Sequence, residues 1–186
     1  MMKYILNMIP YMIIGAVLYI IIRGIVFWVQ RKSFQLKKEL ILFFFIVYCV
    51  GLASQTIIPK FEFGNVEFGI ISNNFGFNIN LIPFRVIQDT YETIFYRHYY
   101  DYFIINFLGN IIIFIPFGFF IPILFKKVNT FKEITIIGCI LSVGKEIIQL
   151  LLYRSFDIDD LWLNTLGVCI GYLLCSSKTP ASREDN

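Results

Sequence analysis

Residues 142–172 read SVGKEIIQLLLYRSFDIDDLWLNTLGVCIGY. Two apolar runs flank a short polar turn, YRSFDIDD, at residues 153–160. Each run has the apolar character of a membrane-crossing helix, and so short a turn returns the second helix antiparallel to the first. The polar residues are clustered. Glu146 and Gln149 stand three apart before the turn, with Lys145 beside them, and Asn164 comes one turn after Asp157, Asp159 and Asp160. Residues three or four apart share a helix face, so two helices deliver polar groups to one depth.

The remainder of the chain supports a membrane setting. Its 186 residues are 58% hydrophobic, with a mean hydropathy of +0.71. A soluble domain has too little interior to hide that much apolar surface. The 21 Phe and 11 Tyr suit lipid contact and interfacial belts. Apolar segments at 4–22, 40–58, 103–125 and 134–152 approach the roughly 20 residues that cross a hydrocarbon core. The segment at 161–175 is shorter, but a helix beginning near Asp157 would extend it. Helices close their own backbone hydrogen bonds in lipid. The expected fold is therefore all-α: a polytopic membrane bundle of about five transmembrane helices with a structured loop between the second and third. The first apolar run has no small-residue cleavage site and is expected to remain as an anchor.

Basic residues set an orientation. Arg23, Arg31, Lys32, Lys37, Lys38, Lys126, Lys127, Lys132, Lys178 and Arg183 fall on one side, ten in all, against five on the other (Lys3, Lys60, Arg85, Arg97, Arg154). The positive-inside rule then puts the N-terminus outside and the C-terminus in the cytoplasm. The expected organisation is two N-terminal helices with a basic cytoplasmic loop (1–58), an extracytoplasmic loop (59–102), a three-helix core (103–175) and a polar tail (176–186). The outer loop contains apolar pieces such as FGIISNNFGFNINLIPF at 68–84, so it is expected to pack on the membrane surface or enter the bundle mouth.

The third span adds Asn106 and Asn110, four apart on one face in its outer half. With Arg154 in the outer turn, three helices converge at one level, where polar groups are costly and usually face an interior or a wet cavity. Each residue also has a plain structural reading. Asp157 or Asp159 would cap the last helix, Arg154 would pair with Asp157, and the two asparagines would join helices. Glu146 would pair with Arg154 or Arg85, or be protonated. Pro116 and Pro122 would kink or end the third span. Gly167 and Gly171 form a GxxxG through which another helix approaches closely. The four cysteines lie in apolar segments and read as small buried hydrophobes. His98 is the sole histidine, so zinc is not expected. A Ca²⁺ or Mg²⁺ ion among Glu146, Asp157, Asp159 and Asp160 is the alternative to the expectation of no metal and no cofactor. No basic run or nucleic-acid module appears, so nucleic acid is not an expected partner.

Three segments carry a family resemblance. They are NLIPF at 80–84, NFLGNIIIFIPFGFF at 106–120, and the stretch quoted first, at 142–172. Asn80, Pro83 and Phe84 fit an N-[LI]-x-P-F loop. Asn110, Phe114, Pro116, Phe117 and Gly118 fit an N-x-x-x-F-x-P-F-G helix. Glu146 and Gln149 fit an E-x-x-Q helix, and Arg154, Asp157 and Asp160 fit an R-x-x-D-x-x-D turn. Asn164, Thr165, Gly167 and Gly171 fit N-T-x-G-x-x-x-G. Together they resemble the VanZ-like family over roughly residues 80–172, with 59–175 as the family region. The resemblance implies a plasma-membrane protein of Gram-positive bacteria linked to resistance against teicoplanin and related lipoglycopeptides, and it supplies no reaction.

Two principal functions are open. One is binding: a groove lined by Asn80, Arg85, Asn106, Asn110, Glu146, Gln149, Arg154, Asp157, Asp160 and Asn164 would hold a lipid headgroup, a lipid-linked wall precursor or the lipid-tailed antibiotic. The other is an intramembrane enzyme acting on an envelope lipid or glycan, with Glu146 as acid or base, Asp157 and Asp160 as partners or metal ligands, and Arg154 binding phosphate. Binding is favoured, because no nucleophile stands out. A third reading is a structural subunit of an envelope complex, joined through the face of Gly167 and Gly171.

Overall fold

The computed structural model describes residues 2–30, 35–56, 79–152 and 155–177, with side chains from residue 6 onward. Arg154 lies outside the described residues, as do residues 59–78 of the outer loop and 178–186 of the polar tail. The chain divides into two compact units, Met1–Ile71 and Ser72–Asn186.

The first unit is a pair of apolar helices, α1 (Met2–Gln30) and α2 (Leu36–Thr56), packed along each other. Small residues let them meet. The position where a Gly15 Cβ would stand is 3.0 Å from Val50, and that of Gly51 is 2.9 Å from Met12. At the basic end, Arg23 closes on Glu39: its Nε donates to Oε2 at 2.8 Å and its Nη2 to Oε1, while the Tyr19 hydroxyl donates to Oε2 at 2.9 Å. Arg23 thus joins the two helices.

The second unit holds β1 (Ile79–Asn80), α3 (Arg85–Phe95), a π-helical turn (Phe103–Leu108) running into α4 (Gly109–Leu124), α5 (Phe131–Leu151), β2 (Phe156–Asp157) and α6 (Ile158–Ser176). Among the described residues, four helices are long and apolar enough to cross a membrane: Leu6–Gln30, Phe103–Leu124, Phe131–Leu151 and Ile158–Ser176. The all-α membrane bundle is therefore present. The second expected span corresponds to α2, which packs beside α1 but is not among these four.

The helix boundaries have local causes. Thr130 and Glu133 form a capping box: Thr130 Oγ1 accepts from the Glu133 amide, and the Glu133 carboxylate accepts from the Thr130 amide. Asp157 caps α6, its Oδ1 accepting from the Asp159 amide at 2.9 Å. Pro116 and Pro122 both lie inside α4, which runs on to Leu124, so neither ends the helix.

The core of this unit is α6, which packs on α4 and on α5. Gly167 and Gly171 face α4 so closely that a Cβ would stand 2.2 Å from the Ile111 carbonyl oxygen and 2.0 Å from that of Ile115. Gly118 returns the contact, with a Cβ position 1.8 Å from the Val168 carbonyl oxygen. The helix that the GxxxG face admits is thus the chain's own α4, and the structural-subunit reading loses the face it rested on.

Candidate functional site

The polar residues gather where α5 ends and α6 begins. Lys145, Glu146 and Gln149 are buried on α5, and Asp159 and Asn164 are buried on α6; Glu146 and Asn164 are 0% exposed. Lys145 is the hub. Its Nζ donates to Asp160 Oδ2 at 2.5 Å and lies 2.9 Å from Glu146 Oε1. Asp160 Oδ1 accepts from Asn110 Nδ2 at 2.5 Å, which brings in α4. Asn110 also donates to the Asn106 carbonyl at 2.9 Å, within the π-helical turn. One cation and one carboxylate therefore bind three helices at one level. The isolated cost of burying either charge falls because the two are paired and hydrogen-bonded.

Glu146 has a second task. Its Oε2 accepts from the Asp157 amide at 2.9 Å and so holds the turn into α6. Its cation is the adjacent Lys145, whereas Arg85 pairs with Asp89 at 3.5 Å on exposed α3. Arg85 therefore does not join the cluster. Below the ion pair, Asn164 Nδ2 donates to Ser142 Oγ at 2.8 Å, and Ser142 Oγ donates to the Asp160 carbonyl at 3.2 Å. Ser142 is not among the residues that the sequence singles out, although it lies one turn before Lys145 and Glu146 on the same stripe.

A second layer ties the loop before α3 to this site. β1 and β2 pair in parallel, Ile79 opposite Phe156 and Asn80 opposite Asp157. Asn80 Nδ2 donates to Asp157 Oδ1 at 2.9 Å, and Asn80 Oδ1 accepts from the Ile82 amide. Asp159 does not cap its own helix. It accepts from the amides of Phe84 at 2.6 Å and Val86 at 2.7 Å, and from Trp162 Nε1 at 2.9 Å. A carboxylate there satisfies the free amides at the start of α3 and favours the helix dipole. It also holds Phe84 in the left-handed region, at φ 63°, with the ring against Trp162. No local signal in the sequence reveals this role, because the partners lie more than seventy residues upstream.

Burial pushes the Asp157 carboxyl above its ordinary value, opposed by its bonds from the Asp159 amide and Asn80. The four carboxylates that could have shared a metal ion face different partners. Among the described residues no group of three or more His, Cys, Asp or Glu is placed to hold a metal ion.

The fold and site define a helical membrane protein with a buried charged cluster spanning three helices. The family described as VanZ/LLP1 matches residues 40–179, and the chain belongs to it. The match reaches back into α2, well before the first motif at residue 80. No curated protein and no solved structure matches the chain significantly.

Proposed function

We propose that this protein works as a multi-pass protein of the bacterial plasma membrane and contributes to resistance against teicoplanin or related lipoglycopeptides. It does so by binding an amphiphile at the end of the bundle where α6 begins, on the extracytoplasmic side. The ligand is a lipid headgroup, a lipid-linked wall precursor or the antibiotic itself. The observation that carries this reading is the open edge of the buried cluster. The Asp160 side chain keeps 22% exposure while it ties Lys145 and Asn110. Exposed Leu81, Ile82 and Phe84 lie on the loop pinned to the neighbouring Asp159. A charged edge next to apolar surface suits a molecule with a polar head and a hydrocarbon tail. Glu146 accepts from the Asp157 amide through Oε2 and lies 2.9 Å from Lys145 Nζ through Oε1, an engagement in the folding of the turn that favours binding over acid–base catalysis.

The test is Asp160→Asn in cells exposed to teicoplanin, with membrane level measured by immunoblot. The expected result is normal insertion with lowered resistance. Full resistance in a correctly inserted variant contradicts the reading. An envelope-lipid mass profile that changes with the protein and reverts in Glu146→Gln would favour the enzymatic alternative.

A further inference from the structure

The helix α3 has three faces rather than two. At about 100° per residue, Val86, Asp89, Thr90 and Thr93 fall on one side. Val86 is buried, and α3 packs on the π-helical turn. Arg85 and Glu92 form a second, polar face that is exposed, and the exposed Gln88 stands at its border with the third. Ile87, Tyr91 and Phe95, at i, i+4 and i+8, form a third. All three are apolar or aromatic and stay 49%, 57% and 63% exposed. The Tyr91 and Phe95 rings lie 4.6 Å apart, which joins them into one surface.

Two anchors fix the height of this helix against the spans. At its start, the Phe84 and Val86 amides bind Asp159, and Phe84 packs on Trp162; both partners belong to the first turn or so of α6. Further along, Asp89 Oδ2 accepts from the Tyr102 hydroxyl at 3.1 Å, one residue before the span that starts at Phe103. A helix tied to the first residues of two spans lies at the membrane boundary. The end of α5 nearest α6 also presents apolar surface, where Ile147, Ile148 and Leu151 are exposed.

We propose that α3 is an interfacial helix that lies in the boundary of the bilayer on the side where α6 begins. Ile87, Tyr91 and Phe95 are sunk among lipid, and Arg85 and Glu92 face water. The occupant of the exposed apolar face is the lipid of the same membrane. Helices with one apolar and one charged face bury the apolar side several ångströms into the headgroup–acyl boundary, and aromatic rings favour that level.

The test is nitroxide scanning of the full chain in phosphatidylcholine–phosphatidylglycerol vesicles. Single cysteines are placed at Arg85→Cys, Ile87→Cys, Tyr91→Cys, Glu92→Cys and Phe95→Cys in a background lacking the four native cysteines. Relaxation by oxygen, which concentrates in lipid, is compared with relaxation by a water-soluble nickel chelate. The expected result is an alternation: oxygen dominates at 87, 91 and 95 by several-fold, and nickel dominates at 85 and 92. Nickel dominance at all five positions would place the helix in water. Protection of 87, 91 and 95 from both reagents would mean that protein covers the face. Either outcome overturns the proposal. Each stripe has at least two positions, so one variant that fails to insert does not remove the comparison.

Discussion

Lys145, Glu146 and Asp160 behave as one unit, and substitutions should show it. Lys145→Met leaves two buried or half-buried carboxylates without their cation. It should lower the stability of the purified protein by about 3–5 kcal/mol, the usual cost of breaking a buried pair, read as a drop in thermal midpoint in detergent. Glu146→Gln keeps an acceptor for the Asp157 amide and should cost less. Equal losses in the two variants would show that the charge on Lys145 matters little. Asp157 gives a pH-dependent counterpart. Its folded value is raised by burial, so the folded state binds the proton more tightly than the unfolded state. Its contribution therefore favours folding at low pH and is lost as pH rises from the ordinary carboxylate value through the folded one. Asp157→Asn keeps a good helix cap and should flatten that part of the stability–pH curve, measured by thermal melts across the acid range. An unchanged slope would remove the assignment.

At the scale of elements, the close approach of α4 and α6 rests on Gly118, Gly167 and Gly171. A methyl at Gly118 would stand 1.8 Å from a backbone carbonyl oxygen, which no side-chain rotation relieves. Gly118→Ala should cost about 1–3 kcal/mol or more through forced separation of the helices, whereas Gly24→Ala, with nothing within 4 Å, should be neutral or better. Comparable thermal midpoints for the two variants would contradict the packing described. Much of this level was legible in the sequence. The GxxxG spacing announced a close helix contact, and the polar turn at 153–160 marked where α5 gives way to α6. The partner of the glycine face was not legible, because spacing says how near a neighbour comes and not which helix it is. The continuity of α4 through two prolines was also hidden, since prolines are tolerated in membrane helices when neighbours satisfy the freed groups.

For the whole molecule, composition alone was enough to define a membrane bundle, because 58% hydrophobic residues leave few soluble solutions. The convergence of Asn110, Glu146, Asp160 and Asn164 came from helix spacing and common depth. The pairings did not. Lys145 faces Asp160 because α5 and α6 cross with that register, and Asp159 turns to the amides of Phe84 and Val86 only once the loop has folded over. Both are tertiary choices that no local window contains. The orientation rests on charge counting and makes its own prediction. In intact cells a cysteine at Arg85→Cys should react with a membrane-impermeant maleimide from outside, and one at Lys37→Cys should react only after permeabilisation. The reverse pattern would invert the assignment. Binding at the cluster edge is the central claim, and it can be measured directly. Purified protein in nanodiscs, titrated with teicoplanin and separately with a lipid-linked wall precursor, should bind at least one of them, and Asp160→Asn should weaken that binding at least tenfold. Binding of neither, or equal binding by the variant, would contradict it.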